Sequence, residues 1–399
     1  MLQSLGALWR EPEHAVLPLV LGSVLRQSIH SMSANKLRWG ILSTAQIARK
    51  NWKAIRLSGN GTVVAVASRD AAKARQFIAE CNSAEPMDAT PRALGSYEEL
   101  IAAKDVDAVY IPLPTGLRKE WVLRAAAAGK HIVCEKPCAT SLPDLREMIE
   151  ACRKHSVQFM DGVMFMHSTR LPQMRALLGD GKSVGDIKRI TSAFSFRAPD
   201  EFFAGNIRAQ SALEPHGCLG DLGWYNIRFA LWAMNWQLPH RVTGRILSEV
   251  GGKSSPAAVP TEFSGELLFE GGTSSGFYCS FLTENEQWAI VSGSKGYLRL
   301  SDFVVPFFGN ESAFEVNNAA LKVNGCDFNM EAHWKKFSVP EYSNSHPTAQ
   351  ETDLFRNFTA QVQSGGLNPN WPDVALKTQQ VMEACLESAR AGGSVVVIK

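Results

Sequence analysis

The chain has 399 residues, 45% hydrophobic and 20% charged, with 41 basic and 39 acidic side chains and a formal charge of +2. That length exceeds the roughly 250 to 300 residues at which single cores stop growing, so two domains are expected, and the usage is that of an ordinary globular protein. The near balance of charge excludes the one-signed field that gathers nucleic acid and leaves only local basic sites for single phosphates.

Residues 1–36 are read as a tail outside the fold. Their apolar run, 15–25, is too short to span a bilayer, so no membrane partner is expected. Arg26, His30 and Lys36 follow it as in a removable organelle presequence, Glu11 and Glu13 count against one, and Met32 offers an alternative start. The expected location is the cytoplasm, with organellar import through the tail left open.

Residues 37–42 read as a short buried strand, Ser43-Thr44-Ala45 as a turn, and 46–57 as a helix closed at Gly59-Asn60-Gly61. Residues 62–67 form a second, β-branched strand ending at Ser68-Arg69, with helical spacing over 71–81. Helices at 98–103, 117–128 and 142–155 then alternate with strands at 108–111, 131–134 and 157–160. This rhythm predicts an α/β domain over 37–159, a Rossmann-type doubly wound parallel sheet. After residue 160 strand-like alternation at 187–196, 241–247, 262–269, 273–282, 288–292 and 296–300, with few helices between, predicts an α+β domain on a large, open, mostly antiparallel sheet. A helix at 372–391 and a strand at 394–398 end the chain. The eight cysteines show no CxxC pair and no matching histidine spacing, which argues against a metal site or a disulfide framework.

A dinucleotide needs a turn whose backbone passes close to its pyrophosphate, which then rests on free N–H groups at a helix N-terminus. The segment Gly40-Ile41-Leu42-Ser43-Thr44-Ala45-Gln46-Ile47-Ala48 stands at that place, with Ser43 and Ala45 where glycines are usual. An ordinary strand-to-helix turn would read the same way. NAD-choosing sites put an acid after the second strand, whereas this chain has Ser68-Arg69, suited to the 2′-phosphate of NADP unless Arg69 pairs with Asp70. The most informative stretch is Gly129-Lys130-His131-Ile132-Val133-Cys134-Glu135-Lys136-Pro137, where a lysine follows a buried strand at the sheet edge that receives ligands.

On these residues the chain resembles the family of glucose-fructose oxidoreductase and inositol dehydrogenase, known as Gfo/Idh/MocA. The resemblance covers nearly everything from residue 37 to about residue 398. It extends to Ile111-Pro112-Leu113-Pro114-Thr115, where the family has a proline-containing loop beside the nicotinamide ribose, although Arg118 departs from the usual histidine. It also includes Gly217-Cys218-Leu219-Gly220-Asp221-Leu222-Gly223-Trp224-Tyr225 and the stretch from Met160 to Arg170 that enters the second domain. What the resemblance implies is NADP, with NAD possible, held by Ser43, Thr44, Ala45, Gln46, Ile47, Ser68, Arg69, Pro112, Leu113, Pro114, Glu135 and Lys136. Lys136 is the implied catalytic lysine, Tyr225 the proton-transfer group and Asp221 its orienting carboxylate. Lys136 is also expected to lower the phenol's pKa toward working pH. Substrate contacts are expected from Phe165, His167, Arg170, His216, Asp221 and Tyr225, His167 and His216 being equally readable as packing residues. The implied reaction is hydride transfer at a sugar, polyol or diol CH–OH without a metal, aldose C1 oxidation before trans-dihydrodiol oxidation. A non-catalytic NADP(H)-binding sensor with the same fold is the rival. The family's open sheet implies a homo-oligomer.

Overall fold

The computed structural model describes residues 36–251 and 255–398, so the expectations for the tail at 1–35 lie outside the described residues. Among these residues no helix is long and apolar enough to cross a membrane.

Six strands make the first sheet: β1 (Leu37–Leu42), β2 (Gly61–Ala67), β3 (Arg92–Leu94), β4 (Ala108–Ile111), β5 (His131–Cys134) and β6 (Phe159–Asp161). They run parallel in the order 3-2-1-4-5-6, connected through α1 (Gln46–Ser58), α2 (Ala71–Ala84), α3 (Tyr97–Ala102), α4 (Thr115–Ala127) and α5 (Leu142–Lys154). The order reverses between β1 and β4, and a crevice opens beyond their C-terminal ends, where such sheets bind ligands. The central strands are mostly apolar because both faces are covered. Val109 and Ile111 of β4 join one core while Ala108 and Tyr110 join the other, as strand alternation requires. Strand β3 escaped the sequence reading, since three residues with an exposed Arg92 leave no pattern.

The rest of the chain supplies α6 (Arg170–Gly179), β7 (Ile187–Ser195), α7 (Asp200–Gly205), α8 (Trp224–Ala233), β8 (Arg241–Val250), β9 (Val259–Leu268), β10 (Ser274–Ser280), β11 (Glu286–Gly293) and β12 (Tyr297–Leu300). It continues with β13 (Ser312–Asn317), a hairpin of β14 (Ala320–Asn324) and β15 (Asp327–Glu331), β16 (Trp334–Val339), α9 (Gln350–Gln363), α10 (Asn370–Arg390) and β17 (Val396–Val397). Nine of these strands form a mixed sheet ordered 16-13-12-11-7-10-9-8-17, in which only the β7–β10 pair is parallel. Helix α8 has no amphipathic period because all ten of its residues are buried, so only the family motif at 217–225, read as opening a helix with Asp221 and Tyr225 on one face, announced it.

Helix α9 shows a limit of reading domains as segments. It belongs to the second half of the chain, yet Leu354, Phe355 and Phe358 pack into the core of the first sheet. The ring of Trp39 lies 5.2 Å from Phe355 and 5.3 Å from Phe358. Removing the second half would therefore uncover the face of β1 and β4.

Candidate active site

The nucleotide end is built by the turn from β1 into α1. Ser43 has φ 123°, in the region that favours glycine, which explains why glycine is usual at this point of the turn. Its N–H donates to Ala67 O at 3.0 Å, and its hydroxyl accepts the Ala45 N–H at 3.2 Å. No side chain caps α1, and within its first turn the Ala48 N–H donates to Ala45 O at 3.0 Å, which leaves the N–H groups of Gln46 and Ile47 without a capping side chain. The turn before them borders a cavity of about 920 Å³ that Ser43, Thr44, Ala45, Ser68, Arg69, Pro112, Leu113 and Pro114 all line.

Arg69 is exposed and makes no ion pair among the described residues. Asp70 does not take it, because its carboxylate caps α2 by accepting the Ala72 N–H at 2.8 Å. Lys73 and the T-shaped pair Tyr97 and Trp121, 4.9 Å apart, complete this rim; sequence patterning had no signal for any of the three.

An adjoining cavity of about 640 Å³ is lined by Gln46, Ile47, Glu135, Lys136, Asp221 and Tyr225. Ala45, Pro112, Leu113 and Ile207 border both cavities, which makes them one continuous cleft. Arg118, where the family has histidine, is a buried brace. It donates to Leu113 O at 2.6 Å, to Glu135 O at 2.9 Å and to Pro137 O, tying together the two loops that flank the cleft.

Across the cleft, Leu219–Gly223 forms a π-helical turn leading into α8. Such turns concentrate at functional sites because the extra residue re-aims neighbouring side chains. The local glycines are sterically required: a Cβ on Gly217, at φ 50°, would stand 2.1 Å from Pro260 O, and one on Gly220 would stand 2.7 Å from the His216 Cβ. The π-turn delivers Asp221 and the first turn of α8 delivers Tyr225, so the pair shares the cleft without sharing one regular helix.

Lys136 Nζ donates to Asp221 Oδ1 at 2.7 Å and to its backbone O at 2.6 Å, and lies 4.7 Å from the centroid of the Tyr225 ring. Arg208 Nε lies 2.7 Å from Asp221 Oδ2, so two cations share one carboxylate whose side chain is 15% exposed. Burial alone would raise the Asp221 pKa, but Lys136 and then Arg208 outweigh it and hold the group at about 2. The Tyr225 phenol is pushed well above its ordinary range, first by burial and then by Glu135 and Asp221. This reverses the sequence expectation that Lys136 lowers it: the ammonium sits over the ring face, while the hydroxyl donates to Met164 Sδ at 3.6 Å.

Four expected substrate contacts do not line this cleft. Arg170 is buried and spent on Asp302, with Nη1 2.7 Å from Oδ1 and Nη2 2.6 Å from the backbone O. His167 lines a different cavity, its Nδ1 3.1 Å from Asn357 Nδ2, and burial followed by Arg228 lowers its pKa to about 4. His216 is buried beneath Gly220 and lowered to about 4, again by burial first. Phe165 is buried behind Tyr225, their ring centroids 6.2 Å apart. Met164, Phe194, Phe196 and Arg208 occupy the wall instead.

Arg208 lies on a connection that reaches the first sheet's loops. Glu214 accepts the Thr115 N–H at 3.0 Å and its hydroxyl at 2.6 Å, and Gly116 N–H donates to Leu213 O at 2.9 Å. No periodic pattern marks this stretch, so Arg208 carried no sequence signal.

A nucleotide-sized cleft at the reversal of a Rossmann sheet, faced by a lysine on one side and a carboxylate and phenol on the other, defines a two-domain, dinucleotide-linked oxidoreductase. Residues 37–163 match the oxidoreductase family described as having an NAD-binding Rossmann fold, and residues 172–299 match the GFO/IDH/MocA C-terminal domain. The chain belongs to the Gfo/Idh/MocA family of oxidoreductases. It is 32% identical to D-xylose 1-dehydrogenase (NADP(+)) 2 of Haloferax volcanii, over 66% of this chain and 75% of that protein. It is 30% identical to trans-1,2-dihydrobenzene-1,2-diol dehydrogenase of Bos taurus, over 67% and 74% respectively. In fold it is similar to the aldose-aldose oxidoreductase of Caulobacter crescentus complexed with glycerol, with a TM-score of 0.73, 24% identity and coverage of 91% and 100%.

Proposed function

We propose that this chain is an NADP-dependent oxidoreductase that moves a hydride to or from a CH–OH carbon of a sugar, polyol or diol. The observation that carries this reading is the meeting of Lys136, Asp221 and Tyr225 in a cleft continuous with the nucleotide-sized cavity. The cavity fits the dinucleotide: uncapped N–H groups of α1 for the diphosphate, unpaired Arg69 with Lys73 for a 2′-phosphate, and Tyr97 beside Trp121 for a flat ring. Pro112, Leu113, Pro114 and Glu135 would flank its reacting end. When bound, the dinucleotide supplies the hydride acceptor or donor.

Lys136 holds two of its three N–H groups against Asp221, which leaves one for the substrate oxygen. Its charge stabilises the alkoxide character that develops there. Asp221, ionised at neutral pH, orients the ammonium and can accept from a neighbouring substrate hydroxyl. Tyr225 is protonated at neutral pH and so donates its proton toward a carbonyl oxygen during reduction; for oxidation the phenol must first give up that proton to solvent before it can take the proton of the substrate hydroxyl.

Aldose C1 oxidation is the first reaction, as the name of the Haloferax relative suggests. Trans-dihydrodiol oxidation is favoured by one feature, the apolar lining of Phe194, Phe196, Val304 and Val305 opposite the polar groups. The test offers NADP and NAD with D-xylose, D-glucose, myo-inositol and trans-1,2-dihydrobenzene-1,2-diol, and reads cofactor reduction. Turnover with NADP on at least one is expected; tight NADPH binding with no reduction on any would favour a sensor instead. We also propose that the chain self-associates through the face of the nine-stranded sheet bearing Arg189, Tyr278 and Trp288. A monomer by light scattering would refute that.

A further inference from the structure

We propose that a second cavity, about 320 Å³ and separate from the catalytic cleft, binds a neutral ring compound carrying hydroxyl groups, of pyranose or cyclic polyol size. It lies on the other side of the turn Met164–His167: Met164 lines the catalytic cleft, whereas Met166 and His167 line this cavity. Its volume falls at the small end of ligand pockets, roughly 300 to 1,000 Å³.

The lining chooses the chemistry. Trp236, Trp371 and Met166 line it together with Asn368 and Asn370; one face of Trp371 stacks on Phe358, and Asn368 Oδ1 already accepts the Asn370 N–H at 2.9 Å, which leaves its amide N–H groups. Indole surfaces suit the C–H face of a saturated ring, and amides can donate to or accept from its hydroxyls. His167 adds a neutral imidazole whose Nδ1 is taken by Asn357, leaving Nε2 for a ligand hydroxyl. The charged groups at the cavity are already matched. Arg228 and Asp161 are both buried, with Nη2 2.6 Å from Oδ2, and Asp373 pairs with Lys377 at 3.0 Å. A charged ligand would meet no unpaired counterion, so a neutral one is favoured.

The backbone gives an independent sign. Asn235 and Trp236, just past the end of α8, hold φ of 52° and 65°, and a bulky residue is an outlier there. Trp236 N–H donates to Leu231 O at 2.7 Å, and Arg175 holds the Asn235 Oδ1 at 2.6 Å, so the surroundings enforce the conformation. Glycine would end the helix without strain. An indole kept in this conformation at the rim of a cavity is the kind of local strain that concentrates at ligand sites.

The test is calorimetric titration of the full chain with methyl α-D-glucopyranoside and with myo-inositol, the first having no free anomeric hydroxyl to oxidise. Saturable binding of at least one probe is expected. Trp236→Gly, which fits the left-handed backbone but gives up the packing of the indole on the core, is checked for native folding by near-UV circular dichroism and is expected to weaken binding at least tenfold, while Lys136→Met changes it less than twofold. Absence of binding to both probes, equal affinity in Trp236→Gly, or loss in Lys136→Met instead would overturn the assignment. Turnover is not among the readouts, so this outcome is separable from that of the catalytic reading.

Discussion

Replacing Asp221 by Asn tests the electrostatic centre of the cleft in both stability and rate. The carboxylate titrates at about 2 in the folded chain against an ordinary value of 3.8. At about 1.4 kcal/mol per tenfold change in proton affinity, that gap is roughly 2 kcal/mol of folding stability at pH 7. Because the folded value is the lower one, the contribution is complete above about pH 4, falls to roughly half by pH 3 and is nearly gone at pH 2. In the Asn variant the amide nitrogen must face Lys136 or Arg208, donor against donor, so the loss at neutral pH should be no smaller than this figure. Equilibrium urea unfolding of both proteins at pH 7 and pH 3 measures it: the difference should be roughly 2 kcal/mol at the first and about half that at the second. Turnover should also fall about a hundredfold, because Lys136 is no longer held by a carboxylate and keeps only neutral oxygen partners at residue 221. A variant as stable as the parent at pH 7, or a penalty identical at both pH values, would refute the reasoning.

Lys136→Met should lower kcat by about 10²- to 10³-fold while NADPH binding, read by fluorescence, is retained; unchanged turnover would remove the lysine from the mechanism. Tyr225→Phe should cost about 10²-fold or more in carbonyl reduction. Since burial, Glu135 and Asp221 keep this phenol protonated well above the usual range, the parent's reduction rate should show no Tyr225 titration between about pH 6 and 9. An inflection near neutrality that disappears in the Phe variant would contradict it. Arg69→Ala should raise the KM for NADP about tenfold and leave that for NAD within twofold, whereas equal changes would detach Arg69 from a 2′-phosphate. Gly217→Ala must place a methyl 2.1 Å from Pro260 O at φ 50°, so a loss of about 2 kcal/mol or more in urea unfolding is expected.

Much of the first sheet was readable because its signals are local. Short β-branched runs such as 62–67 alternate with helical spacings of fixed length, and right-handed parallel crossovers leave few ways to arrange them. Lys136 was readable for the same reason, since a lysine directly after a buried strand must emerge at the sheet's C-terminal edge. Strand β3 was not, being too short for any period, and helix α8, buried on every side, was marked only by the family motif at its start. The lining of the cleft differs from the expected contacts in a more instructive way. Arg170 and His167 stand within a few residues of Met164, and hydrogen-bonding chemistry alone favours them over a methionine. Asp302 and Asn357, more than a hundred residues away in sequence, claim their polar atoms, and Met164 faces the cleft.

From its residues alone this chain determined a Rossmann half with a lysine at its ligand edge and a carboxylate and phenol four positions apart, because periodicity and nearest-neighbour spacing are properties of the strand of sequence itself. Which cations share Asp221, which way the Tyr225 pKa moves and which side chains line the cleft were decided by tertiary structure. Those depend on burial and on charges such as Arg208 and Glu135, brought within a few ångströms by elements that no local pattern connects.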